Sequence, residues 1–369
     1  MNIYLTDYRT ASTTNTEMLE DIDYPQRVHW FPETYNKTKT GLVYAPHKLA
    51  EKVLDPALLK DLRNRPGKTA FILASGNSHF AGINPKDPPE NRLTYDYKFL
   101  ALSLTQVYAG RIAEMCGAVD MVTTDASACA SSLKVMMDVY NLMHFYQFDR
   151  VIVLTLEDTV SNLVLKFFGE SKASLTKDIE DTGIKPSAFD SFNTGFNLGQ
   201  GAAFVVFEND SHAHLPHARL LGAYTSAERS TNAIGQRSDG EGFVKASTMA
   251  MKIARVTSSN IGIVKTHGTG TKSNNEAERK ALSTMFNSPF YATSFKQRIG
   301  HTMGASGLLE TCLLLDSLKD YLIPPIPNRT KNDSQYLSHV VAVNKKQKIL
   351  SQAAGMGNVY SSAIFDTEL

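Results

Sequence analysis

Five short, almost wholly apolar runs recur along the chain: Thr69–Ser75, Val119–Thr123, Val151–Leu156, Ala202–Glu208 and Asn260–Thr266. Runs this short and continuously apolar read as strands covered on both faces, because a strand with one wet face alternates apolar and polar residues. Between them lie longer stretches with helical spacing. Ser131–Phe145 places Leu133, Met136, Met137, Tyr140 and Met143 along one face, and Glu276–Met285 and Ser306–Lys319 carry the same period. Strand and helix in alternation predict an α/β protein whose sheets are covered by helices. The N-terminal segment of about 35 residues, rich in Thr, Asn and Asp, reads as the least ordered part, and Ala354–Phe365 as a β-like end inside the fold.

Size and charge narrow the functional classes. A chain of 369 residues is long enough for two domains or one large one. Its 38 Lys+Arg against 37 Asp+Glu leave a net charge of +1, so bulk electrostatic binding of nucleic acid is not expected. Three cysteines cannot make a disulfide framework and are expected as thiols of a reducing compartment. The start, MNIYLTDYRTAS, lacks the basic and apolar regions of a signal peptide, and no run reaches the roughly 18 apolar residues that span a bilayer. A cytoplasmic protein without a membrane segment is the expectation.

Two segments share a plan: a strand runs into a small-residue turn that carries one reactive side chain. The first, MVTTDASACASSL, holds Cys129, and the second, IGIVKTHGTGT, holds His267. Such an echo is expected of two related halves. Cys129 lies where a helix should begin, so unpaired N–H groups and the helix dipole are expected to favour its thiolate. Cys116 and Cys312 sit in apolar surroundings and read as core residues. In SFKQRIGHTMGASG, Lys296 precedes His301, and Gly300, Gly304 and Gly307 keep bulk away. Taken singly, Cys129 reads equally as a buried structural thiol and each histidine as a satisfied structural residue. Together they form a constellation suited to covalent acyl transfer. His212, His214 and His217 (HAHLPH) follow a polar turn and read as an exposed loop rather than a metal site. Gly195–Gly201 fits neither phosphate-binding spacing, so no nucleotide site is expected.

The order SACASSL, THGTGT, SFKQRIGHTMGASG resembles the Cys–His–Lys–His signature of β-ketoacyl synthases of the KAS I/II type, in the thiolase superfamily. The resemblance extends through AFDSFNTGFNLGQGAAFVVFE, LIPPIPN and GMGNVYSSAIF, and only the first 40 or so residues fit poorly. It implies a thiolase-like fold: two similar halves, expected at 1–208 and 209–369, in a five-layer α-β-α-β-α sandwich. It implies that Cys129 accepts an acyl chain from a carrier-protein thioester. His267 and His301 would then assist decarboxylation of a malonyl thioester and stabilise the enolate. Lys296 would position His301, and Glu310 would support that network. The N–H groups of Cys129 and Met356 would form the oxyanion hole, in a loop that includes Gly355 and Gly357. Thr269, Thr271, Phe168 and Met356 would contact the substrate.

By the same resemblance no metal or cofactor is needed beyond the phosphopantetheine arm of an acyl carrier protein. The implied partners are that carrier and a second subunit, identical or of the chain-length-factor kind, with no nucleic acid and no membrane. Where the family usually has a gating Phe this chain has Met356, and Asn358, Val359 and Tyr360 replace a Gly-Thr-Asn. Asn193 replaces a usual Arg, and Asn275 a usual Asp. These departures point to unusual acyl specificity, in fatty-acid, polyketide or polyene synthesis. Two other readings remain: a silent chain-length-factor-like partner, against which all four signature residues argue, and a degradative thiolase, which would need a second C-terminal cysteine. Lys60, Arg63, Arg65 and Lys68 are the densest basic run, either a carrier-docking patch or a solvated helix end.

Overall fold

The computed structural model describes residues 1–20, 23–31, 45–76, 104–118, 120–160, 162–229, 234–329, 335–343 and 347–368. Strands β1 (Ile3–Ala11), β2 (Thr16–Leu19) and β3 (Gln26–His29) open the chain. Then come β4 (Thr69–Ala74), β5 (Met121–Asp125), β6 (Arg150–Glu157), β7 (Leu198–Gly199) and β8 (Gly201–Asn209). The rest are β9 (Ala218–Ala227), β10 (Ile263–Lys265), β11 (Tyr291–Thr293), β12 (Leu322–Ile323), β13 (Val341–Ala342), β14 (Lys348–Gly355) and β15 (Val359–Asp366). The apolar runs read from the sequence fall on β4, β5, β6, β8 and β10, although Val119 lies outside the described residues. The helical stretches form Ser131–His144, Lys272–Met285 and Ser306–Lys319.

The main sheet has the order β11-β10-β14-β15-β9-β1-β8-β6-β4-β5. It is one pattern used twice. In β1, β4, β5, β6 and β8 the first strand pairs the last, which pairs the fourth, then the second, then the third. β9, β10, β11, β14 and β15 repeat that order. Directions repeat too: the last strand is antiparallel to both neighbours, and the remaining pairs are parallel. The two sets join through β1 and β9, at Tyr4–Arg219 and Leu5–Ala218.

Two helices fill the space between the sets. Ser131–His144 touches β4 and β6 on one side and β9 and β15 on the other, and Ser306–Lys319 packs beside it. Leu133, Met136 and Val139 of the first and Leu308, Leu309 and Leu315 of the second share a core with Ile72 and Val153 of one set and Ala223 and Ile349 of the other. The opposite faces are covered as well: Phe71, Ile152 and Phe204 lie under Leu58, Leu62 and Ile112, and Val264, Leu350 and Ile364 lie against Ala250, Met251 and Leu282. Burial on both faces is why strands such as β4, β6 and β8 are apolar along most of their length. The result is the five-layered α-β-α-β-α sandwich of the thiolase-like fold.

The N-terminus corrects the sequence reading. Residues 3–11 are not loosely ordered but form β1, in the middle of the sheet between β8 and β9. The polar residues that disguise it are partnered by distant groups: Thr6 Oγ1 donates to Glu208 Oε2 at 2.9 Å, and Asp7 pairs with Arg65 at 3.6 Å.

Candidate active site

The turn that carries Cys129 is built by short-range chemistry. At the end of β5, Asp125 accepts from Ser127 N at 3.0 Å and pairs with Lys134 one helical turn on. Ala128 then takes a left-handed φ of 48°, and Ser131 Oγ returns a hydrogen bond to Ala128 O at 2.7 Å. A non-glycine residue in that region is strained, and strain of this kind collects where a side chain must be aimed. The same device recurs at Met303, with φ 40° and Ser306 Oγ donating to Met303 O at 2.8 Å. Cys129 of the first turn corresponds to Gly304 of the second. Glu157, at the end of β6, secures the second turn by accepting from Gly304 N at 3.0 Å and Gly76 N at 2.6 Å.

Cys129, His267 and His301 line one cavity of about 260 Å³. The imidazole centroids stand 5.8 Å apart at 80°, with Phe196 edge-on to His301 at 4.7 Å. His267 lies two residues past the end of β10, where Glu278 accepts from its backbone N–H and from Gly268 N. His301 is held through its main chain, donating to Asn197 O at 2.7 Å and accepting from Gly199 N at 3.1 Å. Neither Nδ1 has a hydrogen-bond partner among the described residues. Burial, reinforced by the cation of Lys296, keeps both rings well below the usual histidine pKa. Both are therefore neutral.

Cys129 departs from the expected thiolate. Burial pushes its thiol up to about 12, with Lys296 opposing and Glu157 adding to the rise. Among its largely apolar neighbours desolvation outweighs the helix start, which favours the thiol form of Cys129. Its Sγ lies 3.7 Å from Met303 Sδ, among Val164, Leu165, Phe168 and Phe196.

Thr269, Thr271, Phe168 and Met356 also line the cavity. Lys296 and Glu310 do not. They form a fully buried pair at 2.8 Å, and among the described residues no hydrogen bond joins Lys296 to His301. Gly355 stands behind the Cys129 turn: a Cβ there would come within 2.7 Å of Ser127 O and 3.2 Å of Ala130 N, so only glycine lets the β14–β15 hairpin close on the turn. Gly357, with φ 85°, is at the exposed hairpin tip and outside the cavity. The two departures at 193 and 275 turn out to touch, Asn275 Nδ2 donating to Asn193 Oδ1 at 2.9 Å. A neutral amide pair occupies both positions.

Sequence reasoning missed Glu157, Glu278 and Lys265, all fully buried. Each stands at the end of an apolar strand or on the buried face of a helix, and a charge in such a place was the available signal. Cys116 and Cys312 are core thiols as read, in separate apolar clusters. The histidines at 212, 214 and 217 do not converge: His212 Nδ1 is 3.0 Å from Asn209 Oδ1, while His217 lies edge-on to Tyr8. None of the four basic residues at 60–68 lines the cavity. Arg65 is committed to Asp61 and Glu208, Arg63 to Met115 O, and Lys68 lies over Phe148 at 4.1 Å.

Fold and site define a thiolase-fold protein with a cysteine and two neutral histidines on one cavity. Residues 40–213 match the family model of the β-ketoacyl synthase N-terminal domain, and 217–330 that of the β-ketoacyl synthase C-terminal domain. The chain belongs to the β-ketoacyl synthase family. It is 29% identical over 285 residues to the oxytetracycline polyketide putative β-ketoacyl synthase 1 of Streptomyces rimosus, covering 74% of this chain and 65% of that one. A putative polyketide β-ketoacyl synthase 1 of Streptomyces cyaneus is 27% identical over 267 residues, covering 69% and 63%. The chain thus spans a little under two thirds of the length of these relatives. A β-ketoacyl synthase structure from Burkholderia phymatum superposes with a TM-score of 0.81 at 17% identity, covering 100% of both chains. A complex of a type II polyketide synthase acyl carrier protein with its ketosynthase gives 0.79 at 16%, covering 99% of both. Among the described residues no helix is long and apolar enough to cross a membrane.

Proposed function

We propose that this chain is a β-ketoacyl synthase that condenses an acyl group held on Cys129 with a malonyl thioester. The observation that carries the reading is the meeting of the buried side chains of Cys129, His267 and His301 on one cavity. In the first half-reaction Cys129 Sγ attacks the carrier thioester, its proton ends on the departing carrier sulfur, and the acyl group remains on Cys129. The N–H groups of Cys129 and Met356 receive the oxyanion. In the second, the bond between the malonyl carboxylate and its α carbon breaks and CO2 leaves. The electron pair remains as an enolate, whose oxygen accepts from His267 and His301. The enolate carbon attacks the acyl carbonyl, the sulfur departs as a thiolate, and a proton taken up from solvent regenerates the Cys129 thiol.

Neutral histidines suit this work, because an imidazolium could quench the carbanion. Donors aimed at charge that develops only in the transition state accelerate the step, and losing one costs about 3 kcal/mol, or roughly a hundredfold. Lys296 and Glu310 would order the site from behind. Thr269 and Thr271 would meet the phosphopantetheine arm, and Phe168 with the flexible Met356 would shape the acyl channel. The partners would be an acyl carrier protein and a second subunit, identical or of the chain-length-factor kind, and residues 1–208 and 209–369 would be the two halves of this chain. No further cofactor is required, and a cytoplasmic location fits three free thiols. A degradative thiolase is disfavoured because the hairpin after β14 holds no cysteine.

The test is intact mass after incubation with acyl carrier species of several lengths, with and without a second subunit. Acylation should occur in the wild type and vanish in Cys129→Ala. A folded wild-type protein that never gains an acyl group, alone or partnered, would sink the reading.

A further inference from the structure

Glu310 is divided between two lysines. Its Oε1 accepts from Lys296 Nζ at 2.8 Å and its Oε2 from Lys265 Nζ at 3.2 Å, while Lys265 also donates to Gln352 O at 2.9 Å. Lys265, Lys296 and Glu310 are all fully buried. Lys265 closes β10 two residues before His267, so one strand end sets both side chains. On the far side of His267 stands a second buried carboxylate, Glu278. Both its oxygens accept N–H groups, from His267, Gly268 and the Asn274 amide. That is the bonding pattern of an ionised carboxylate. Burial pushes Glu278 up, and those three donors oppose the rise. Two buried cations thus face two buried carboxylates. Without Lys265 the network would hold excess negative charge beside the cavity and repel an incoming anion.

We propose that Lys265 is a positioning residue which, through Glu310, fixes Lys296 behind the two histidines and supplies the buried cation that lets the site accept a carboxylate-bearing extender thioester. The proposal rests on the synthase reading above. Decarboxylation leaves the substrate at one negative charge before and after the carbon–carbon bond breaks, since CO2 departs neutral and the electron pair stays as the enolate. A cation a short distance away therefore acts mostly on binding, and its loss falls on KM more than on kcat. The charged and titratable groups facing Lys265 are Glu310, Lys296 and Glu278, with His267 and His301 neutral beside them. Burial pulls Lys265 down to about 8, with Glu310 opposing and Lys296 adding. Its charge is present below that pH and lost above it.

Two reactions separate this role from a merely structural one: CO2 release from malonyl-pantetheine and acylation of Cys129 by hexanoyl-pantetheine, each followed from about pH 7 to 9.5. Lys265→Met should raise KM for the malonyl thioester roughly tenfold at neutral pH, lower its kcat less, and leave acylation by the uncharged hexanoyl group within about twofold. In the wild type, KM for the malonyl thioester should climb as pH passes about 8, and the two proteins should converge above that. Equal malonyl KM values and equal pH profiles would overturn the proposal. Should Lys265→Met fail to fold, a wild-type malonyl KM that stays flat through pH 8 overturns it alone. A wild type that never acylates Cys129 overturns the synthase reading instead, and this proposal with it.

Discussion

At the scale of single residues, burial decides more than local position does. Cys129 occupies a helix start yet stays a thiol, because its surroundings are apolar. The same force governs three histidines. Burial holds His267 and His301 well below their usual pKa and draws His29 down to about 4. The unfolded chain protonates these rings near pH 6.5, whereas the folded chain does not. Their contribution to stability is therefore full above about 6.5 and is lost as pH falls, by about 1.4 kcal/mol per pH unit for each ring. Asp158 and Glu278, raised by burial, work in the opposite sense. Denaturant midpoints at pH about 7.5 and 5.5 should fall more for the wild type than for a His267→Gln, His301→Gln double variant. An equal fall in the two would show that these rings titrate freely in the folded chain.

At the scale of elements, what matters is which backbones must touch. The β14–β15 hairpin reaches the Cys129 turn because Gly355 has no side chain. Gly355→Ala should cost about 1–3 kcal/mol by overpacking and slow Cys129 acylation, since the displaced atoms are backbone. Gly110 is the contrast: it lies within the helix Thr105–Met115, with nothing within 4 Å of a would-be Cβ. Gly110→Ala should stabilise the protein by about 0.5–1 kcal/mol, the helix propensity difference, with acylation unchanged. Thermal melts and acylation rates on the two variants check both expectations. If Gly355→Ala acylated at the wild-type rate, the hairpin would not support the turn.

For the molecule as a whole, two sets of five strands close on two central helices, and β1 is the seam. It pairs with β8 along most of its length and meets β9 at Tyr4 and Leu5. Removing residues 1–11 should strip the partner from both strands and leave Thr6 and Asp7 unable to meet Glu208 and Arg65. Loss of the cooperative transition in circular dichroism is the expected outcome. A truncated chain that still unfolds cooperatively near the wild-type midpoint would mean that the sets hold together through the central helices alone.

The strands β4, β6 and β8, three of the four fourteen-residue helices among the described residues, and the grouping of Cys129, His267 and His301 were legible in the residues, because each is written locally as a run, a period or a motif; Glu241–Ala254 was the helix not read. β1 was not legible, since Thr6 and Asp7 find their partners about 200 and 60 residues away and a polar strand leaves no apolar run. Nor were Lys265 and Glu278, which extend the expected pair of Lys296 and Glu310 into a buried network. A charge survives in a core only when opposite charges and donors surround it, and those come from β10, the helices at Lys272, Lys296 and Ser306, and β14. Sequence alone determined which groups could react. Only the tertiary structure decided that they are buried, uncharged and gathered on one cavity.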